Sequence, residues 1–187
     1  MADFYKNSDK LCSLQPKSRP VKGVEYQFVT DLATEPVTIN DFKAHCRIDY
    51  NMDDALLAKY LKASRQHLER VAQLSFGERE MKMTALSMVD NWKLMYGPVD
   101  IVKLPYVKFG EDIVKNSGGD NVTIEYTTKW PLGLPMDIEV AICRYGAGLY
   151  ALRENHNITV NGVIQDPKSF LDEAEKMVMK YGNVSFL

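Results

Sequence analysis

The stretch from Thr38 to Ala72 leaves this chain little choice of local structure. Thr38 and Asp41 have the spacing of a capping box, with Asp in place of the preferred Glu. Val37 and Phe42 occupy the hydrophobic-staple positions around them. A first helix is therefore expected over about residues 39–47. Asn51 or Asp49 can cap a second helix, over about 52–75, and Asp53 and Asp54 then fall in its first turn, where the helix dipole favours negative charge. Leu56, Leu57, Tyr60, Leu61, Ser64, Leu68, Val71 and Ala72 keep helical spacing along one face. Gly77 is the expected terminator.

From Glu78 to Trp130 the period changes from helical to alternating. Met81, Met83 and Ala85 alternate with Lys82 and Thr84, and Val122, Ile124 and Tyr126 alternate with Thr123, Glu125 and Thr127. Gly97-Pro98, Leu104-Pro105, Gly110 and Gly118-Gly119 punctuate the interval, which predicts short antiparallel strands and loops over about 78–130. Upstream, Val24, Tyr26 and Phe28 alternate with Glu25 and Gln27 as a half-buried strand would.

Leu134-Pro135 opens a third helix, over about 135–154, because proline suits a first turn. Its apolar face holds Ile138, Ala141, Ile142, Tyr145, Leu149 and Leu152. Cys143, Ala147 and Ala151 form a small-residue row that would admit a neighbouring helix. Asp166-Pro167 starts a fourth helix, over about 167–181, with Phe170, Leu171, Ala174, Met177, Val178 and Tyr181 along one stripe. The expected architecture is mainly α: a four-helix connector bundle with a small antiparallel β insertion between helices two and three. Residues 23–187 form its single domain.

The 187 residues suffice for a sizeable core without staples. A net charge of −2 argues against a surface built throughout to grip nucleic acid. Residues 1–22 are polar, contain Pro16 and Pro20, and carry more lysine and arginine than aspartate, so they read as a flexible basic arm without the apolar core of a secretory signal. Cys12, Cys46 and Cys143 are widely spaced, which predicts free thiols and folding in a reducing cytoplasm. No run of 18 apolar residues occurs, so no membrane contact is expected.

The chemistry-bearing residues resolve into structural explanations. His45-Cys46 are neighbours on a helix and point about 100° apart, so Cys46 is expected to pack and His45 to face solvent. His67 reads as a core-edge histidine, and His156 suits a helix C-terminus. Asp49, Asp53 and Asp54 read as helix-start residues, since the spaced ligands of a calcium loop are missing. Phosphate-loop, dinucleotide and hydrolase signatures do not occur. The expectation is no catalytic residue, no metal and no cofactor. Trp92, Tyr96, Tyr106, Phe109 and Trp130 interleave with Lys93, Lys103, Lys108, Lys115 and Lys129. Such mixtures can clamp single strands, but a small core with a partner interface is the commoner use of aromatics.

Two blocks carry a family resemblance. One is Thr38-Ile-Asn-Asp-Phe-Lys-Ala-His-Cys-Arg-Ile-Asp49 with Asp53-Asp-Ala-Leu-Leu57 and Ala63-Ser-Arg-Gln-His-Leu-Glu69. The other is Val122-Thr-Ile-Glu-Tyr126 leading into Leu134-Pro-Met-Asp-Ile-Glu-Val-Ala-Ile142 and Leu149-Tyr-Ala-Leu-Arg-Glu154. In order and character these resemble the head–tail connector (adaptor, or head-completion) proteins of long-tailed bacteriophages, over roughly residues 38–181. Thr127-Thr-Lys-Trp130 stands where a Gly-containing turn usually follows the family's late strand.

The resemblance implies a structural virion protein at the head–tail interface, assembled in the host cytoplasm. It implies a head-to-tail ring of about a dozen copies under the portal protein. That ring would extend the channel for non-specific passage of double-stranded DNA and dock the next neck or tail-completion protein. On this resemblance, Lys59, Lys62, Arg65 and Arg70 would face neighbouring subunits or the channel. Arg144 and Arg153 with Glu154 would pair between subunits, and Phe170, Met177 and Tyr181 on the fourth helix would meet partners. The competing class is a helical nucleic-acid-binding regulator, because helices one and two are joined by a short turn.

Overall fold

The computed structural model describes residues 23–88, 91–109, 112–115, 119–153, 158–160 and 163–182. Thr38 caps α1 (Ile39–Cys46) as expected: its Oγ1 accepts from the Asp41 amide at 3.1 Å, and its hydroxyl donates to the Asp41 carboxylate. Val37 and Phe42 of the staple are both buried. Arg47 closes α1 in the left-handed conformation, φ 57°, so that the Ile48 amide reaches back to the Lys43 carbonyl at 2.9 Å.

Helix α2 (Asp54–Ala72) begins and ends later and earlier than its sequence signals suggest. Asp53, not Asn51 or Asp49, holds the N-cap position, and its side chain makes no cap bond. Asn51 accepts instead from the Lys43 ammonium, which also meets Asp54 at 2.9 Å. At the other end Gln73 takes the left-handed cap at φ 54°, four residues before Gly77. Gly77 is reserved for packing: a Cβ there would lie 2.8 Å from Leu32.

Helix α3 (Met136–Arg153) and helix α4 (Pro167–Met179) complete the bundle, with α4 capped by Asp166 accepting from the Lys168 amide at 3.0 Å. Phe42, Leu57, Leu61, Leu68, Ile138, Ile142, Ala174 and Val178 form its core. Each large side chain so buried contributes about 1.5–3 kcal/mol. Of the row Cys143, Ala147 and Ala151, Cys143 is buried and Ala147 packs on the core, and glycines add close contacts of their own. A Cβ on Gly146 would press on the Phe42 ring at 3.1 Å, and one on Gly148 would meet Leu171 at 2.8 Å.

The β part is larger than a small insertion, so the fold is mixed α and β rather than mainly α. Strands β1 (Val24–Phe28), β2 (Arg79–Met88), β4 (Val99–Val102) and β7 (Gly119–Thr128) form an antiparallel sheet in the order β1-β2-β7-β4. Met83 pairs with both Tyr26 and Ile124, so the alternation seen in sequence sets the register. A second sheet, β3 (Asn91–Lys93), β6 (Ile113–Lys115) and β5 (Val107–Phe109), supplies Val114 to a separate core with Met81, Met83, Leu94, Ile124 and Tyr126. The inner face of a sheet must be covered, and these three-residue strands cover it. They are too short to show a period in sequence. A hairpin of β8 (Ile158–Val160) and β9 (Val163–Gln165) separates α3 from α4, where only a loop was expected.

Candidate subunit interface

The joint between the two cores is ionic. Arg65 has a side chain 0% exposed. Its guanidinium donates to both Glu35 oxygens at 2.6 and 2.9 Å, to Asp31 at 3.0 Å and to Glu69 at 2.9 Å. Glu69, equally buried, accepts further from the Phe76 amide at 2.8 Å and from Arg79. Arg79 donates to the Ser75 hydroxyl at 3.0 Å, and its guanidinium lies 4.6 Å from the Phe28 ring centroid. The segment joining β1 to α1 is thereby strapped onto α2 and β2.

The electrostatics follow from that burial. Desolvation raises the Glu69 carboxyl above its ordinary range, against the pull of Arg79 and Arg65, and it lowers Arg79. Burial works against Arg65 too, but its bonds to Glu35 and the surrounding carboxylates hold it above the usual guanidinium value. Asp31, half exposed and bonded to Lys62, is lowered to about 2.

Arg65 is thus buried within the subunit and not on an exposed face of α2. The only sequence trace of its role is the i, i+4 pairing with Glu69, because the covering acids lie thirty and more residues upstream. Lys59, Lys62 and Arg70 do lie on the exposed face of α2. Lys62 meets Asp31 at 2.7 Å, and Arg70 donates to the Gln66 carbonyl at 3.2 Å.

The other expected contacts are largely satisfied within the chain. Arg144 pairs with Glu173 at 2.5 Å. Arg153 lies 3.6 Å from Asp53 and over the Tyr150 ring at 5.8 Å. Asp53 also accepts from the Tyr150 hydroxyl at 2.8 Å, so the start of α2 is held against the end of α3. Met177 and Tyr181 pack on the helical core, and Tyr181 donates to Asp137 at 3.2 Å. Phe170 is half-buried. Glu154, the basic arm 1–22, Cys12 and His156 lie outside the described residues.

Unanticipated from sequence are large apolar side chains that stand in solvent: Leu132 at 100%, Met52 at 93%, Leu104 at 87% and Met136 at 75% exposure. Pro131-Leu-Gly-Leu-Pro-Met136 was legible only as a helix start. It also holds a turn: Gly133, at φ 81°, donates to the Trp130 carbonyl at 3.3 Å.

No reactive constellation emerges among the described residues. Burial pushes the Cys46 thiol up to about 12 and Cys143 to about 11, away from thiolate chemistry. His45 lies at the surface, where partial desolvation of its ring and nearby Arg144 lower its pKa. His67 stacks on Tyr145 at 4.7 Å and meets Glu175 at 2.7 Å, as a core-edge residue does. No three His, Cys, Asp or Glu among the described residues could hold one metal ion, and no described helix is long and apolar enough to cross a membrane. The two tryptophans of the β region serve the interior: Trp92 donates to the Tyr26 hydroxyl at 3.1 Å, and Trp130 to the Ser75 carbonyl at 2.8 Å. Lys103 and Lys129 are paired with Glu125 and Glu78.

A welded two-core body with apolar knobs and charged helix faces defines a structural building block. The sequence matches the family of phage gp6-like head-tail connector proteins over residues 36–181, and the chain belongs to that family. It is a head–tail connector, a structural protein of the head–tail interface.

Solved structures with the same fold come from gene transfer agent particles. A chain from the virion of the native particle superposes with a TM-score of 0.64 at 17% identity, covering 87% of this chain and 97% of that one. A chain from the native particle's neck, computed with C12 symmetry, gives 0.61 at 16% identity over 87% and 97%. One from the empty particle's neck, computed with C6 symmetry, gives 0.58 at 17% over 80% and 94%. No curated protein matches the sequence significantly.

Proposed function

We propose that this connector assembles head-to-tail into a closed ring of twelve under the portal, extends the DNA channel and presents its far face to the next neck or tail protein. The family match, which runs from before α1 to the end of α4, carries this reading. The C12 symmetry of the neck in which a chain of the same fold sits supports the ring number. A closed cyclic assembly requires two different, complementary patches on each subunit. The exposed α2 face with Lys59, Lys62 and Arg70 meets either a neighbour or the channel.

Negative-stain electron microscopy of the full chain, alone and with its portal, tests the proposal. Closed rings, or a collar of density added beneath the portal, are expected. Monodisperse monomers that ignore the portal would overturn it. The regulator alternative gains nothing from the geometry, since the start of α2 carries Asp53 and Asp54 and is held against α1 and α3.

A further inference from the structure

The inner face of the four-stranded sheet is covered by the helper strands and their core, while its outer face is open where β1 begins. A cleft of about 460 Å³ lies there, lined by Gly23, Glu25, Thr84, Leu86, Asn121 and Thr123 among others. Leu86 is 60% exposed, and Glu25, Asn121 and Thr123 stand exposed around it.

Covalent continuity selects the occupant. Gly23 lines the cleft and is also the residue at which the 1–22 arm joins β1. The register Val24–Ala85 places Gly23 opposite Leu86, and a Cβ on Gly23 would lie only 2.7 Å from the Leu86 side chain. At φ 75° Gly23 breaks the extended run of β1 and turns the chain, a conformation and a closeness that glycine alone accepts readily. Three residues span at most about 10 Å, so residues 20–22 stay within reach of Leu86 whatever their path. A tether this short holds them at an effective concentration of millimolar order, against which a second molecule would have to compete.

The tethered segment also matches the lining. Lys17-Ser-Arg-Pro-Val-Lys22 has cations at Lys17, Arg19 and Lys22 and contains no acid. Glu25 is the charged side chain of the cleft lining, and no ion pair among the described residues engages it. The cleft is therefore acidic and the segment basic, which favours their encounter. Pro20 and Val21 supply apolar surface for Leu86.

We propose that residues 17–22 fold back over the outer sheet face of their own subunit and occupy this cleft, with Val21 against Leu86 and the cations of Arg19 and Lys22 around Glu25. The docked segment covers Leu86 and makes the outer sheet face the place from which the rest of the arm departs. The contact lies within one subunit, so it holds whether or not the ring reading does.

Disulfide trapping tests it in the full chain. In a Cys12→Ser background, Val21→Cys and Thr123→Cys put one thiol in the segment and one on the β7 side of the cleft, and a glutathione redox buffer supplies the oxidant. Linkage needs the two Cα atoms within about 7 Å. An intrachain link is expected, forming about ten-fold faster than in the same chain carrying Glu25→Lys and Leu86→Ser. Failure to link, or equal rates with and without those two changes, would overturn the proposal. Links between chains, seen as dimers on a non-reducing gel, would overturn it too, because the occupant would then be a second copy. The changed positions are exposed or half-exposed, and circular dichroism is expected to show the fold kept. Trypsin gives a reading without engineered thiols. Cleavage after Lys22 is expected to be about five-fold faster in Glu25→Lys than in the unmodified chain, and an unchanged rate would overturn the proposal.

Discussion

Replacing Arg65 should expose how the molecule is held together. The guanidinium makes four hydrogen bonds to three carboxylates. Once it is gone, Asp31 at 46% and Glu35 at 33% side-chain exposure can rehydrate, while Glu69 at 1% cannot. Removing one partner of a buried ion pair costs about 3–5 kcal/mol, chiefly from the charge left behind. Glu69 keeps Arg79 and the Phe76 amide, which holds the cost toward the lower end.

Arg65→Ala also opens a cavity, so we expect a loss of about 4 kcal/mol, and about 3 kcal/mol for the better-filling Arg65→Met. With a urea slope of about 2 kcal/mol/M, the alanine variant should unfold about 2 M earlier. Protonating Glu69, whose carboxyl burial already raises, removes the stranded charge, so the deficit should shrink as pH is lowered. A loss below about 1 kcal/mol for Arg65→Ala, or a deficit independent of pH, would refute the reasoning.

Gly148→Ala places a methyl group against Leu171 and the Pro167 carbonyl, so it should cost about 1–3 kcal/mol in a denaturant melt. Arg47→Gly relieves a left-handed, exposed cap and should raise stability by about 0.5–1 kcal/mol, visible as a higher midpoint. Asp31 is lowered from 3.8 to about 2 in the folded protein, so its contribution is complete above pH 3.8 and disappears as pH falls toward 2. Asp31→Asn should remove that part of the acid limb in a pH titration of stability, and an unchanged limb would show that Asp31 does not contribute.

What was legible in the sequence was what short-range physics writes there. The Thr38–Asp41 cap, the Val37–Phe42 staple, the α2 stripe and the alternation in β2 and β7 all concern residues within a few positions of one another. The burial of Arg65 is not legible because its partners Asp31 and Glu35 lie on a strap with no periodic pattern of its own. The sequence carries α2 to about residue 75, with Gly77 as terminator, because Gln73, where the backbone turns, gives no hint of left-handed geometry. The second sheet escaped because strands of three residues among Gly-Pro turns look like loop. The exposed Leu132 and Met136 were hidden inside a proline-started helix signal. The family was visible because its signature is an order of capped helices and strands spread over most of the chain, not a few single residues.

The strap joint has a consequence for how the protein breathes. Its inner members Arg65, Glu69 and Arg79 are shielded from water, so dissolved salt that weakens Lys62–Asp31 or Lys103–Glu125 leaves Arg65–Glu69–Arg79 nearly untouched. The helical and β cores are then bound to open together, over a range of ionic strengths that loosens the surface. The Phe76 amide, which donates to Glu69 at this seam, is the natural reporter: its hydrogen exchange marks the moment when one body becomes two.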